Sequence, residues 1–342
     1  MGNIVFVHIV ERGDLESKSI LLCSSIRKYC GIYKNSVIYA VTPRKGKEVS
    51  DKTKDVYKKL NVNYVYKELN IKWYDQPYLN SIYGVAYIEK NYINSNISLV
   101  YVDSDTFFIN QPDKLDLEKN NVKIAVTPID SVKAEIADYD INDISEYWKN
   151  VYRLFNINAN DLWYVNTLHD NQKIIAYFNI GIISINPNLQ IFTRCLGKIE
   201  LAHNDQYFST LKPGSLERFF LDQVFVSAAV VKYPKNEILL LNNNYNYSLT
   251  VMKSVNNSQF ETLVHIHYHH MFFYKQNLKI FKQNHEIYNF LKLYIPFKID
   301  KKVKIILLIK AYIPPKIKNY VRDTFLMNYI NKILNKVGIN VG

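Results

Sequence analysis

SLVYVDSDTFFIN, residues 98–110, sets Asp103 and Asp105 one residue apart, after an apolar run rich in strand formers and just before a second apolar pair. It reads as a buried strand that ends in two acids, where unpaired carboxylates are costly. Residues two apart in a strand face the same way, so both carboxylates converge unless the chain has already turned. Converging carboxylates repel, and each raises the pKa of the other unless a cation lies between them. Hard divalent ions such as Mg²⁺ or Mn²⁺ take oxygen ligands, commonly one or two carboxylates together with substrate phosphates. The plain alternative is a turn in which each aspartate caps a backbone amide.

Outward from this strand the chain alternates. NIVFVHIV (3–10), SVIYAVTP (36–43), VNYVYKEL (62–69) and VKIAVTPI (122–129) are further β-rich segments, several of them the continuous apolar runs that a sheet covered on both faces requires. Between them, SKSILLCSSIRKY (17–29), SDKTKDVYKKL (50–60) and PYLNSIYGVAYIEKNY (77–92) carry helical patterns. The alternation predicts an α/β domain with a largely parallel sheet. Ligands of such sheets bind at the carboxyl ends of strands, which is where Asp103 and Asp105 fall.

Past residue 130 the alternation loosens. DYDINDISEYWKNVYRLFN reads as an acidic, aromatic helix, and AYFNIGIISINP (176–187) as a strand whose interior Gly181 marks a close backbone approach. ERFFLDQVFVSAAVV (217–231) reads as one helix burying a side, and TLVHIHYHH (262–270) as an alternating strand. On such a strand His265, His267 and His269 share a face, and an imidazole suits a transition-type ion such as Mn²⁺ as a further ligand. Asn179, Asp222 and Gln223 are polar groups in apolar surroundings, costly unless hydrogen-bonded or used. The structural alternative has Asn179 satisfying a bulge at Gly181 and Asp222 capping a helix.

Composition narrows the class. The 342 residues are 48% hydrophobic, which marks a globular chain with a sizeable core. A formal charge of +12, from 43 Lys and Arg against 31 Asp and Glu, suits an anionic partner without choosing among phosphate ligands, nucleic acid and acidic membrane. Three cysteines, Cys23, Cys30 and Cys195, with no zinc or Cys-x-x-Cys spacing, favour a reducing intracellular compartment. The N-terminus is read as a first strand and not a signal peptide, and no apolar run nears the roughly 20 residues of a membrane span.

Taken in order, the landmarks resemble the GT-A type nucleotide-sugar glycosyltransferases, and among them the family 8 enzymes, which are glycogenin-like and lipopolysaccharide galactosyltransferase-like. VYVDSDTFF is similar to that family's metal motif, YFNIGIISINP to its Phe-Asn-x-Gly strand, and LDQVF to its Asp-Gln helix. LNNNYNY and VHIHY follow in the family's order, so the resemblance spans about residues 3–275. It implies a GT-A, Rossmann-like catalytic domain with a mixed central sheet over 1–275, followed by a basic, amphipathic helical extension over 276–342.

The resemblance also implies roles. Asp103, Asp105 and His267 would bind Mn²⁺ or Mg²⁺, which clamps the donor diphosphate. Ser104 and Lys275 would accompany them, Lys275 as the phosphate contact, and His8, Ile9, Val10, Thr42 and Pro43 would meet the nucleotide base. Asn179, Asp222 and Gln223 would line the donor sugar and acceptor side of a retaining enzyme, with the nucleophile open. After VHIHY the family continues with Gly and then Lys-Pro-Trp, whereas this chain reads YHHMFFYK. The choice among His265, His267 and His269 therefore stays open.

The expected partners are a nucleotide-sugar donor, UDP favoured, and a glycan or lipid-linked glycan acceptor in polysaccharide biosynthesis. Two rival readings are a phosphatase of the haloacid dehalogenase class and a basic nucleic-acid-binding protein. The phosphatase pattern wants Thr or Val where Phe107 stands and places its acids on the first strand. No ribonucleoprotein, zinc or helix-turn-helix signature accompanies the charge, and no nucleic acid is expected. The tail, with Phe325, Leu326, Tyr329, Ile330, Ile333 and Leu334 at helical spacing, is a candidate peripheral contact with the inner face of a membrane in an otherwise cytoplasmic protein.

Overall fold

The computed structural model describes residues 3–132, 136–252 and 254–297. The strands are β1 (Ile4–Ile9), β2 (Val37–Thr42), β3 (Asn63–Tyr66), β4 (Ser98–Val102), β5 (Thr106–Phe108), β6 (Ile124–Pro128), β7 (Tyr164–Asn166), β8 (Lys173–Ile175), β9 (Phe178–Ile185), β10 (Ile238–Leu240), β11 (Tyr247–Ser248) and β12 (His265–His267). The helices are α1 (Asp14–Tyr29), α2 (Asp51–Lys59), α3 (Asn80–Glu89), α4 (Glu146–Phe155), α5 (Ile191–Ala202), α6 (Leu216–Phe219), α7 (Leu221–Val231), α8 (Leu249–Met252), α9 (Asn257–Thr262) and α10 (His285–Lys292).

The central sheet runs β10-β6-β9-β4-β1-β2-β3. β9 lies antiparallel to both β4 and β6, and the other neighbours are parallel. The sheet is largely parallel, as the alternation predicts, and mixed through β9, as the resemblance implies. Its central strands are mostly apolar because helices cover both faces. One face packs on α3, α4, α5 and α7 through residues such as Val7, Tyr101, Phe178 and Phe225; the other packs on α1 and α2 through Phe6, Leu22, Val100 and Ile182.

A second, three-stranded sheet, β11-β12-β5, begins where β4 ends. The chain leaves the large sheet at Val102, turns through residues 103–105, and enters the small sheet at Thr106. Phe107 is fully buried beneath that sheet among Leu21, Tyr268, Phe272 and Phe281. Burying a ring of that size contributes roughly 1.5–3 kcal/mol and fixes the far side of the turn. Leu278, Phe281, Ile287, Phe290 and Leu291 belong to the same apolar cluster, so packing continues without a break across residue 275.

Two elements differ from expectation. Residues 217–231 form two helices, because Phe220, at φ −93° and ψ 16°, interrupts the helical path between α6 and α7. The strand expected over 262–270 is only His265–His267, after which His269 takes a left-handed φ of 51° and bends the chain back. The tail residues from Phe325 to Leu334 lie outside the described residues. No helix among the described residues is long and apolar enough to cross a membrane.

Candidate functional site

The turn between the two sheets is held by backbone bonds, which leaves the carboxylates free for other work. Asp103 N donates to Gly181 O at 2.9 Å, Thr106 Oγ1 to Asp103 O at 2.5 Å, and Tyr268 N to Asp105 O at 3.1 Å. Ser104 turns inward, and its hydroxyl donates to Ile9 O. Antiparallel pairing of β5 with β12 then sets His267 opposite Thr106. His267 Nε2 thereby comes 3.2 Å from Asp105 Oδ1 and 4.0 Å from Asp103 Oδ2.

β9 closes the third side. Its pairing with β6 jumps from Val126↔Ile183 to Thr127↔Asn179, a bulge at which Asn179 Oδ1 accepts from Gly181 N at 2.7 Å. Gly181 is a close-approach glycine. A Cβ there would sit 2.8 Å from His267 Nδ1, 2.9 Å from Asn246 Oδ1 and 3.0 Å from Asn179 Oδ1. The strand can pass this close to the His267 ring only without a side chain.

The three candidate histidines, His265, His267 and His269, separate. His265 is wholly buried against Phe108, with 4.7 Å between ring centroids and its Nδ1 3.0 Å from Tyr245 O; burial lowers it to about 3. It belongs to the core. Burial also works against protonation of His267, but the Asp105 and Asp103 carboxylates prevail and raise it. His269, brought round by its left-handed backbone, lies with its ring centroid 3.8 Å from that of His267, and Asp105, His267 and His269 form a group able to hold a metal ion.

A carboxylate with two imidazoles is a donor set that suits a transition-type divalent ion. His267 Nε2 lies within reach of both carboxylates. Without an ion the carboxylates respond unequally. Burial raises Asp103, whereas for Asp105 burial is outweighed by His267 and holds the carboxyl below its usual range. Tyr101 OH donates to Asp103 Oδ1 at 2.6 Å. His267 Nδ1 and Asn246 Oδ1 are buried at this point without a hydrogen-bond partner among the described residues.

Two charged residues beside the cluster carry no sequence signal of their own. Asp130 follows β6, and burial raises it to about 6 against the opposing charges of His267 and His169. Lys18, on α1, is buried 5.3 Å above the Phe273 ring and 3.3 Å from Asp14, and its charge is felt by Asp103, Asp105 and His269. Nothing in the helical pattern of residues 17–29 singles it out.

Asp222 opens α7 on the sheet side of the same region. Burial, and then the Asp103 charge, push it up to about 7 although Ser81 Oγ lies 3.2 Å from its Oδ2. Gln223 is buried and donates to Tyr177 OH at 2.7 Å. Lys275 is exposed, and no hydrogen bond or ion pair among the described residues joins it to the acids.

The expected base contacts are reassigned by burial. The His8 ring is fully enclosed under α1, with Nε2 2.6 Å from Ser19 Oγ, and burial lowers it to about 3. Val10 and Thr42 are likewise enclosed, and Thr42 Oγ1 donates to Val10 O at 2.6 Å. Side-chain contact with a base is therefore closed to His8, Val10 and Thr42; Ile9 is 8% exposed and Pro43 buried. The polar side chains at these strand ends are Glu11 and Arg44, paired with each other, with Asn80 Nδ2 donating to Glu11 Oε1 at 2.9 Å.

The acid–histidine cluster lies at the carboxyl edge of a mixed sheet, the edge at which α/β proteins bind their ligands. The Rhodobacterales glycosyltransferase domain family matches residues 6–233, well over half of the chain, and the chain belongs to that family of transferase enzymes. The match includes Asp103, Asp105, Asn179, Asp222 and Gln223 and ends before His267. Among solved structures, the bifunctional glycosyltransferase WbbM in its apo form is similar at 16% identity and a TM-score of 0.45, over 78% of this chain and 46% of that one. The chain thus spans less than half of WbbM. Mouse xyloside xylosyltransferase 1, also apo, is similar at 11% identity and a TM-score of 0.40, over 78% of this chain and 97% of that one. No curated protein matches the chain.

Proposed function

We propose that the protein is a metal-dependent hexosyltransferase of the GT-A type, akin to family 8, that takes a hexose from a nucleotide diphosphate sugar, UDP favoured, and passes it with retention to a glycan or lipid-linked glycan. The observation that carries this reading is the approach of Asp103, Asp105 and His267 from positions about 160 residues apart, within 3.2–4.0 Å, at a sheet edge. Asp103, Asp105 and His267 would hold Mn²⁺ or Mg²⁺, with His269 in reach as a further ligand. Bound there, the ion supplies Lewis acidity toward the diphosphate leaving group.

The chain's own groups do the rest. Lys18 offers a fixed cation on the α1 side of the acids for the diphosphate, a role its burial beside them favours over the exposed Lys275. Asp222, ionised above about pH 7, stabilises the positive charge that develops on the sugar ring. Asn179 holds the bulge that lets Gly181 pass, and Gln223, tied to Tyr177, fixes the start of α7. Thermal melting with Mn²⁺ and a panel of UDP- and GDP-sugars tests the reading. One donor should raise Tm, since a ligand at about a hundred times its Kd adds about 2.7 kcal/mol. No shift with any donor refutes it.

A further inference from the structure

Two exposed aromatic rings stand beside the carboxylate that the metal cluster leaves unused. Tyr78 is 48% exposed and Phe219 37%, and their ring centroids lie 4.2 Å apart at 54°. They come from separate elements, Tyr78 from the turn that leads into α3 and Phe219 from the end of α6. Asp222 lies between these elements. It follows Phe219 by three residues, and Ser81, three residues after Tyr78, brings its Oγ within 3.2 Å of Asp222 Oδ2 and 2.8 Å of Tyr78 O.

The pair is built, not incidental. Phe220 packs edge-on against Phe219 with centroids 4.8 Å apart. Arg218 ties the same short helix down, with Nη2 2.6 Å from Asp75 and its guanidinium 5.2 Å from the Trp73 ring. Burial, and then the charges of Asp222, Asp105 and Asp103, push the Tyr78 phenol up to about 12, while nearly half of the residue stays exposed. Rings fixed in this way present flat apolar area with a polar rim. A pyranose offers the complement, a face of C–H groups edged by hydroxyls.

We propose that Tyr78 and Phe219 form the acceptor subsite, an aromatic platform on which a sugar ring of the acceptor glycan stacks with its reacting hydroxyl turned toward Asp222. The inference rests on the glycosyl-transfer reading, and it adds the place at which the acceptor's terminal sugar ring is held.

Saturation-transfer NMR with a panel of methyl α- and β-hexopyranosides as probes, with and without Mn²⁺ and donor, tests it. The wild type should bind at least one probe at millimolar concentration. The double variant Tyr78→Ala/Phe219→Ala should weaken that binding at least tenfold, and Tyr78→Phe, which restores the ring, should recover it. The donor-induced Tm shift of each variant serves as the check on folding. Equal probe binding by wild type and double variant, or binding of no probe while the donor shift is intact, overturns the platform. A wild type that binds glycosides through these rings but shows no donor shift refutes the transfer reading and leaves the sugar platform standing.

Discussion

His8 and His267 are both buried, 0% and 5% exposed, yet the fold treats them in opposite ways. His8 lies between β1 and α1 with a serine hydroxyl as its ring partner, and burial keeps it neutral down to about 3. His267 faces two carboxylates that raise its pKa in spite of the same burial. One ring is packing, and the other joins an acid cluster. The difference is made by the acids brought across from the β4–β5 turn, so the sheet junction, and not burial, creates the site.

Breaking the acid side should have the largest effect. Asp105→Ala and His267→Ala are each expected to abolish metal-dependent donor stabilisation and to cut turnover by about 10³-fold or more, a barrier raised by about 4 kcal/mol. Isothermal titration of Mn²⁺ and donor into Asp105→Ala is the check, and unchanged binding refutes the metal assignment. Next comes Gly181→Ala, whose Cβ would displace His267 or Asn246. About a tenfold fall in metal affinity is expected, with the fold retained by circular dichroism.

Asp222→Asn sharpens the comparison through stability. The folded carboxyl keeps its proton to about 7, whereas the unfolded one releases it at 3.8. The folded state therefore binds more protons in that window, and stability falls as pH rises through it. Asn removes the cost of the buried charge, so the metal-free variant should gain on the order of 2 kcal/mol at pH 8 while losing turnover. Urea melts at pH 5 and pH 8 decide this, and an equal shift at both pH values contradicts it.

His8→Gln is the smallest test and has the opposite sign. Unfolded His8 takes up a proton below about 6.5, and the folded ring refuses one until about 3. The unfolded state binds more protons in this window, so this residue removes stability as pH falls from 6.5. The variant should lose less stability than the wild type between pH 6.5 and 5, by about 1–2 kcal/mol, with donor binding measured alongside.

The apolar runs of β1, β2, β4 and β6 made the sheet legible, because strands covered on both faces have no polar positions to blur the pattern. The DSD and FNIGI segments were legible as well, since buried acids and a strand glycine each need a reason. His269 and Lys18 were not. His269 enters through a left-handed residue that no alternation predicts, and Lys18 is one of many lysines until α1 docks. His8 misled because it sits at a strand end in the sequence, and only the packing of α1 over β1 shows that its ring turns inward.

The bulge in β9 has a consequence for the whole cleft. Ile183–Ile185 pair with β4 on one side and β6 on the other, whereas residues 180–182 are spanned on the β6 side between Ile183 and Asn179. On the β4 side the same residues stay in step, Ile182 opposite Val102 and the Gly181 carbonyl on the Asp103 amide. The strand therefore keeps one register toward β4 and a shifted one toward β6. An insertion or deletion at 180–182 would move Phe178 and Asn179 along Thr127 and Pro128 and loosen the Asp103 turn at the same stroke.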